Sequence, residues 1–168
     1  MSLPHFFLRE QVLAFESAPV FALHLDADDT KHAKVLRLAV GEHIAVVDAV
    51  SDYFECEIVS FEGDELSVSI AQKLSSYARP EVVLVQGLAK GEKMDTIVRH
   101  ATEVGIAEFV PMTTSRSVVK LDAKKSKARF ERWASIAKSA AMQSGASSKP
   151  VVRAPCSVAG ADDILKDL

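Results

Sequence analysis

The stretch VVLVQGLAKGEKMDTIVRHATEVG, residues 82–105, decides how the second half of the chain folds. It opens with an apolar run rich in β-branched residues, which is typical of a strand buried on both faces of a parallel sheet. Apolar residues then recur at helical spacing, at Met94, Ile97, Val98 and Ala101. Gly105 is suited to end that helix. The stretch therefore predicts a strand, a loop and an amphipathic helix in direct succession.

A strand, a glycine-containing loop and a helix are also the layout of a loop that holds nucleotide phosphates. A Walker loop needs G-x-x-x-x-G-K-[ST], in which the lysine reaches the phosphates and the hydroxyl binds Mg²⁺. Here Gly87 and Gly91 stand one residue too close together. Lys93 follows Glu92 rather than a glycine, and Met94 occupies the place of the hydroxyl. A P-loop nucleotide binder is therefore a weakly supported alternative, and a basic loop before a helix is the simpler interpretation.

Downstream of this stretch the alternation of strand and helix continues. Residues 108–112 (EFVPM) predict a second strand, and residues 127–145 predict a helix with Trp133 on its apolar face. Residues 151–155 and 158–168 predict a third strand and helix. Alternating strands and helices form a parallel sheet with right-handed crossovers. We expect Trp133 in the core rather than stacked on a nucleic-acid base.

Upstream, the chain changes to short strands separated by turns. Residues 43–48 form an apolar run, and residues 53–59 and 65–71 alternate apolar and polar residues. This pattern predicts a small antiparallel barrel or sandwich. Residues 28–42 fit a short helix that stops at Gly41. The side chains expected to point inward are Phe54, Cys56, Ile58, Leu66, Val68 and Ile70.

Residues 73–81 change the composition to small residues followed by Arg79-Pro80, and we interpret them as a linker. The predicted domains are therefore residues 1–74 and 75–168. Charge divides the chain in the same way, since the net charge is −8 for residues 1–74, +7 for 75–153 and −2 for 154–168. A basic half suggests a polyanion as partner. The acidic first half would have to bind one through local cations.

Other function classes have little support in the sequence. No apolar run approaches a membrane span, and the first residues do not resemble a secretory signal. Five histidines are scattered without a zinc-ligand spacing, and there is no G-x-S-x-G nucleophile elbow. Cys56 and Cys156 lie far apart without a CxxC partner, so we expect reduced, buried thiols. No metal site is predicted.

Six stretches along residues 4–155 together resemble one family. In chain order they are PHFFLRE, HAKVLRLAVGEHIAVVD, YFECEI, GLAKGEKMDTIVRHATEVGI, PMTTSRSVVK and RWASIAKSAAMQSG. They are similar to the bacterial enzymes that methylate N3 of a uridine in 16S ribosomal RNA, members of the SPOUT methyltransferase superfamily. Two small departures are Ala49, where a glycine is usual, and Ala146, where an arginine is common.

The resemblance implies a fold and a function. The fold would be α/β overall, with a PUA-like RNA-binding β-barrel at residues 1–74 and the N-terminal part of a SPOUT methyltransferase domain at 75–168. The activity would be methyl transfer from S-adenosylmethionine to 16S ribosomal RNA in the small ribosomal subunit, by a cytoplasmic homodimer. Residues 156–168 do not match the family's knotted C-terminal segment. The cofactor contacts are therefore expected beyond Leu168, and this chain alone is expected to be inactive.

The resemblance and the charge pattern also suggest site residues. Arg116, placed at a predicted strand end, is the candidate active-site cation, with a phosphate contact or a structural ion pair as the alternative. The predicted RNA-binding residues are Arg9, Lys34, Arg37, Lys90, Lys93, Arg116 and Lys120. A non-catalytic RNA-binding module with the same barrel remains the alternative function.

Overall fold

A computed structural model describes residues 3–75, 80–117 and 121–166. The chain divides into two units, Met1–Ala78 and Arg79–Leu168. Part of the predicted linker, residues 76–79, lies outside the described residues, as does the predicted RNA-binding residue Lys120. Leu74 is the last residue of a strand, so the linker begins later than the composition suggested.

The first unit is built on a five-stranded sheet with the strand order β1-β3-β4-β5-β2. Strands β3, β4, β5 and β2 pair antiparallel, which confirms the predicted antiparallel sheet, while β1 pairs parallel with β3. A short 3-10 helix, Leu13–Phe15, follows β1. The elements are β1 (His5–Phe7), β2 (Phe21–Ala22), α1 (Ala27–Leu36), β3 (His43–Val47), β4 (Tyr53–Glu62) and β5 (Glu65–Leu74).

The alternating pattern of β4 and β5 places the predicted side chains in the core, with one exception. Buried side chains include Phe54, Cys56, Ile58, Leu66 and Val68. Ile70, which was predicted to point inward, is 39% exposed. Strand β2 pairs with β5 only at Ser67 and Val68, so no described strand covers β5 on that side at Ile70. The prediction for Ile70 was therefore wrong, because β5 is an edge strand at this position and the side chain is partly exposed to solvent.

Helix α1 ends earlier than the sequence suggested. The Asp26 side chain caps its start by accepting a hydrogen bond from the Asp29 N–H at 2.9 Å. The helix stops at Leu36, because Arg37 adopts the left-handed conformation (φ 55°, ψ 42°). Gly41 makes a separate turn (φ 83°) and donates its N–H to the Ile58 carbonyl of β4 at 2.8 Å. Gly41 therefore fixes the loop to the sheet rather than ending the helix.

The turn after β3 does not need a glycine at position 49. The buried Asp48 carboxylate accepts hydrogen bonds from the N–H groups of Leu13, Val50 and Asp52, at 3.1, 3.0 and 2.9 Å. The left-handed residue of this turn is Ser51 (φ 66°), and Ala49 has no positive φ. The backbone freedom of glycine is therefore not required at position 49.

The second unit is an α/β arrangement around a parallel sheet, as predicted. Strands β6, β7 and β8 lie in that order, β9 also pairs with β7, and every pairing is parallel. Strand β6 is half-buried along its length, not buried on both faces, because β7 is its only partner among the described strands. The elements are β6 (Val83–Gly87), α2 (Lys93–Glu103), β7 (Glu108–Thr113), α3 (Ala123–Ser144), β8 (Val151–Val152), β9 (Cys156–Ser157) and α4 (Val158–Lys166).

Helices α2 and α3 share one hydrophobic core with β7. Its buried members are Leu88, Met94, Val98, Ile106, Phe109, Trp133 and Ala137. Trp133 is 2% exposed, which confirms its predicted place in the core. Met94 is equally buried, so the position that a Walker loop gives to a metal-binding hydroxyl belongs here to the core.

Candidate functional site

The carboxyl ends of the parallel strands form one edge in the second unit. Gly87, the last residue of β6, lies opposite Met112 of β7, and the Leu88 N–H donates to the Met112 carbonyl at 2.9 Å. At the same end the Thr113 hydroxyl donates to the Cys156 carbonyl of β9 at 3.0 Å. The segments that follow β6, β7 and β9 therefore begin at one edge, where ligands of α/β sheets usually bind.

The loop between β6 and α2 brings two predicted RNA-binding residues to this edge. Gly91 adopts a positive φ of 68°, and α2 begins two residues later at Lys93. Lys90 and Lys93 are exposed and form no ion pair with any described residue. Their ammonium groups are therefore available to an anion at the carboxyl edge.

A tight turn after β7 holds Arg116, the candidate active-site cation. The Ser117 N–H donates to the Thr114 carbonyl at 3.0 Å, and the Thr114 N–H donates to the Ser117 hydroxyl at 2.9 Å. Arg116 is exposed in this turn and has no ion pair within the described part of the chain. The topology thus places Arg116 at the same edge as Lys90 and Lys93, and their roles remain predictions.

A buried carboxylate that is not among the predicted site residues lies between the helices. Asp95 of α2 accepts from Nε and Nη2 of Arg132 at 3.0 and 2.6 Å and from Nε1 of Trp133 at 3.1 Å. The hydrogen bonds from Arg132 hold the pKa of Asp95 below its usual value, although burial acts in the opposite direction. Asp95 therefore fastens α2 to α3, and Arg132 is committed to the scaffold.

A second buried carboxylate holds another arginine of the basic half. Glu108, at the start of β7, accepts from Nε of Arg153 at 2.6 Å and from its Nη2 at 3.2 Å. On α3, surface pairs join Lys125 to Asp122 and Lys127 to Glu131. The excess of positive charge in residues 75–153 therefore overstates the number of cations available to a polyanion.

In the first unit three of the five cations are also paired. Arg9 contacts Asp26 at 2.9 Å, Lys73 contacts Asp52 at 2.7 Å, and Lys34 pairs with Asp64. Arg37 is exposed and forms no ion pair with a described residue. It lines an open depression together with Lys34, Leu38, Phe61 and Gly63. The structure thus brings Lys34 and Arg37 together, whereas Arg9 is paired at the opposite end of α1.

The surroundings of the two cysteines do not favour the reactive thiolate form. Both thiols are free, and burial raises the pKa of Cys56 to about 12. Cys156 is only half-buried, contrary to the expectation for both thiols, and burial raises its pKa as well. The described residues contain no cluster of three potential metal ligands. In the same part of the chain, no helix has the length and apolar character needed to cross a bilayer.

Comparison with known proteins identifies the family. A family model described as "RNA methyltransferase domain" matches residues 77–167. The ribosomal RNA small subunit methyltransferase E of Bacillus subtilis is 35% identical over 132 residues, which are 77% of this chain and 51% of the relative. The chain thus spans about half the length of the curated relatives that it matches.

Solved structures share the fold. The crystal structure of a hypothetical protein matches with a TM-score of 0.86 at 31% identity, covering 97% of this chain and 67% of the other. A small subunit methyltransferase E of Neisseria gonorrhoeae, bound to S-adenosyl methionine, matches with a TM-score of 0.80 at 24% identity, covering 96% and 65%. With a family model matched over more than half of its residues, this chain belongs to the RNA methyltransferase domain family, as the sequence motifs predicted.

Proposed function

We propose that the full-length protein transfers a methyl group from S-adenosylmethionine to N3 of a uridine in 16S ribosomal RNA. Family membership and the names of the relatives support the activity. The structural observation that carries the proposal is the placement of Lys90, Lys93 and Arg116 at the carboxyl edge of the parallel sheet. This arrangement would present three cations to an RNA segment at the usual ligand-binding edge of an α/β fold.

The chemistry calls for a cation or a set of N–H donors at that edge. Uracil N3 carries an imide proton, which must pass to a base before or as the nitrogen attacks the methyl group. Proton loss places negative charge on O2 and O4, and this charge is consumed as the N–C bond forms and the S–C bond of the sulfonium breaks. A positioned guanidinium would stabilise that charge, and Arg116 has no carboxylate partner among the described residues. Lys90 and Lys93 would hold neighbouring phosphates, while the target base must be unpaired to expose its N3 edge.

The cavity beside the loop after β6 does not fit S-adenosylmethionine, which supplies the methyl group. Its volume is about 20 Å³, room for water rather than for a cofactor. Its lining is Leu88, Ala89, Gly91, Met94, Leu121, Arg129 and Trp133. We therefore assign no residue of this chain to the cofactor and place its contacts in the part of the relatives that the chain does not span.

Both domains would contact the RNA. Residues 1–74 would be a PUA-like RNA-binding domain, and residues 75–168 the first part of a SPOUT methyltransferase domain. Lys90, Lys93 and Lys120 would contribute phosphate contacts from the second domain, and Arg9, Lys34 and Arg37 from the first. The full-length protein would act as a homodimer in the bacterial cytoplasm, where its substrate, the small ribosomal subunit, is found.

The test measures methyl transfer by the full-length gene product to small ribosomal subunits that lack the modification, with 3-methyluridine quantified by mass spectrometry. Arg116→Ala is expected to lower kcat about 100-fold, the usual effect of removing a group that stabilises transition-state charge. Lys90→Ala is the control, since loss of a phosphate contact should raise KM and spare kcat. An unchanged kcat for Arg116→Ala would contradict the proposed catalytic role of Arg116. Ribosome binding without any methylation would favour the non-catalytic RNA-binding module.

A further inference from the structure

The depression in the first unit is lined by an exposed cation, an aromatic ring and a glycine turn with free space beside it. It lies where the end of α1 meets the β4–β5 hairpin, with Phe61 half-buried in its lining and Gly63 (φ 62°) in the hairpin turn. A Cβ at Gly63 would meet no atom within 4 Å, so the turn leaves open space. Two exposed apolar side chains, Val35 and Val40, lie close by in sequence.

The charge of this depression comes from one residue. Lys34 is engaged by Asp64 of the hairpin turn, so its ammonium is neutralised locally. Arg37 has no such partner among the described residues, and its guanidinium keeps all its donors. An aromatic ring beside an unpaired arginine is the combination that single-stranded RNA binds, by base stacking and a phosphate contact.

The backbone of Arg37 shows that this position is not optimised for stability. With φ 55° and ψ 42°, Arg37 adopts the left-handed conformation that glycine or asparagine usually provides at the end of a helix. A side chain with a Cβ is strained in this region. Such strain at an exposed residue is an indication of function, because a glycine there would serve the fold better.

We propose that this depression is a binding subsite for one unpaired nucleotide of the RNA substrate. Phe61 stacks on the base, and Arg37 binds an adjacent phosphate. The subsite rests on the proposed function, since that function supplies an RNA partner. It would let the acidic first unit bind RNA through one local contact despite its net charge of −8.

The experiment measures fluorescence anisotropy of a labelled single-stranded RNA of about 12 nucleotides, a length within the usual site sizes of small RNA-binding barrels, with a duplex of the same length for comparison. Arg37→Gly is expected to weaken single-strand binding about tenfold and to reduce the slope of log K against log salt by about 0.7, the value for one phosphate contact. Phe61→Leu should weaken binding about tenfold and leave the salt slope unchanged. Neither variant should alter duplex binding to a comparable degree.

The thermal stability of the Arg37 variant distinguishes a role of Arg37 in RNA binding from a role in folding. Arg37→Gly relieves the left-handed strain and should raise the Tm by about 3 °C, so weaker binding cannot be explained by unfolding. Lys31→Ala is the matched control, because Lys31 is an exposed cation of α1 that, like Arg37, has no ion pair to a described residue. It should leave the affinity for single-stranded RNA unchanged.

Two results would overturn the subsite: wild-type affinity in Arg37→Gly and Phe61→Leu, or an equal loss in Lys31→Ala, which would indicate bulk charge alone. These outcomes are independent of methylation by the full-length gene product. If that product does not methylate ribosomal RNA but the oligonucleotide effects appear, the subsite stands and the proposed function fails. If methylation occurs and the affinities do not change, only the subsite fails.

Discussion

The two units of the chain use their ion pairs differently. In the first unit the pairs lie at the surface, as for Arg9 with Asp26 and Lys73 with Asp52. In the second unit two of the carboxylates are buried, with side-chain exposures of 9% for Asp95 and 7% for Glu108. The second unit therefore adds buried ion pairs, which connect its helices and strands, to surface pairs of the kind found in the first unit.

Because some charges are held in ion pairs, the net charge of each half does not measure how many cations are available to RNA. The +7 of the basic half includes arginines that hold helices and strands together, so it is not all available to RNA. The −8 of the acidic half conceals an exposed cation, Arg37, that has no ion pair among the described residues. Pairing and burial, rather than net charge, decide where a polyanion is able to bind.

Removal of the carboxylate between α2 and α3 should have the largest effect on stability. Asp95→Ala leaves the buried Nε1 of Trp133 and the Arg132 guanidinium without their acceptor. We expect the free energy of unfolding to fall by about 2–3 kcal/mol, the usual cost of a buried donor left unsatisfied. Trp133 is the sole tryptophan of the chain, so its fluorescence during urea unfolding reports the second unit.

The control for that experiment is Asp163→Ala in α4. Asp163 is exposed, and its contact with Lys166 is a surface pair at 3.8 Å. Such pairs contribute little to stability, so the urea midpoint of this variant should stay close to that of the wild type. Equal destabilisation by the two substitutions would contradict the difference between buried and exposed carboxylates.

The same carboxylate should make the second unit sensitive to acid. Arg132 holds the folded-state pKa of Asp95 below its unfolded value. The stabilisation is therefore fully present above the unfolded pKa, about 3.9, and is lost as the pH falls through the lower folded pKa. The stability difference between the wild type and Asp95→Asn should accordingly shrink below about pH 4. Urea unfolding followed by tryptophan fluorescence at several pH values measures it, and a difference that is constant down to pH 2 would refute the linkage.

Replacement of the buried carboxylate at the start of β7 should lower the stability of the second unit by a smaller amount. Glu108→Gln keeps the shape of the side chain and one acceptor oxygen but loses the charge that faces Arg153. We expect a loss of about 1 kcal/mol in the free energy of unfolding. Glu103→Gln, an exposed residue at the end of α2, is the matched control. If both substitutions have the same effect, the Glu108–Arg153 pair is not a structural connection.

Local sequence patterns predicted the elements of the second unit well. Periodicity and Gly105 predicted α2 and its end, because these signals act within one helix. The patterns failed where the structure depends on distant partners. Helix α1 ends at Leu36, before Gly41, and the N–H of Gly41 binds the Ile58 carbonyl of β4 instead. Ile70 is exposed at a part of β5 that β2 does not reach.

The candidate site was predictable only in part, for the same reason. Strand ends place Arg116 and Lys90 at one edge of a parallel sheet, and that topology can be inferred from alternating strands and helices. The commitment of Arg132 to Asp95 and of Arg153 to Glu108 involves residues 37 and 45 positions apart. No short motif reports such pairs, and a charge count therefore treated structural arginines as candidates for binding.

The smallest expected effect is on RNA affinity, when the exposed ion pair between Lys34 and Asp64 is broken. Asp64→Asn should release the Lys34 ammonium into the depression that contains Arg37, because the amide no longer holds it by charge. Single-stranded RNA should then bind about threefold more tightly, with a salt slope larger by about 0.7. Stability should hardly change, since the pair is solvated. Asp28→Asn makes the same change of charge on α1 without freeing Lys34, so anisotropy should show a smaller gain for it. Equal gains would mean that the negative charge of the first unit acts as a whole, and that the depression is not the place where RNA binds.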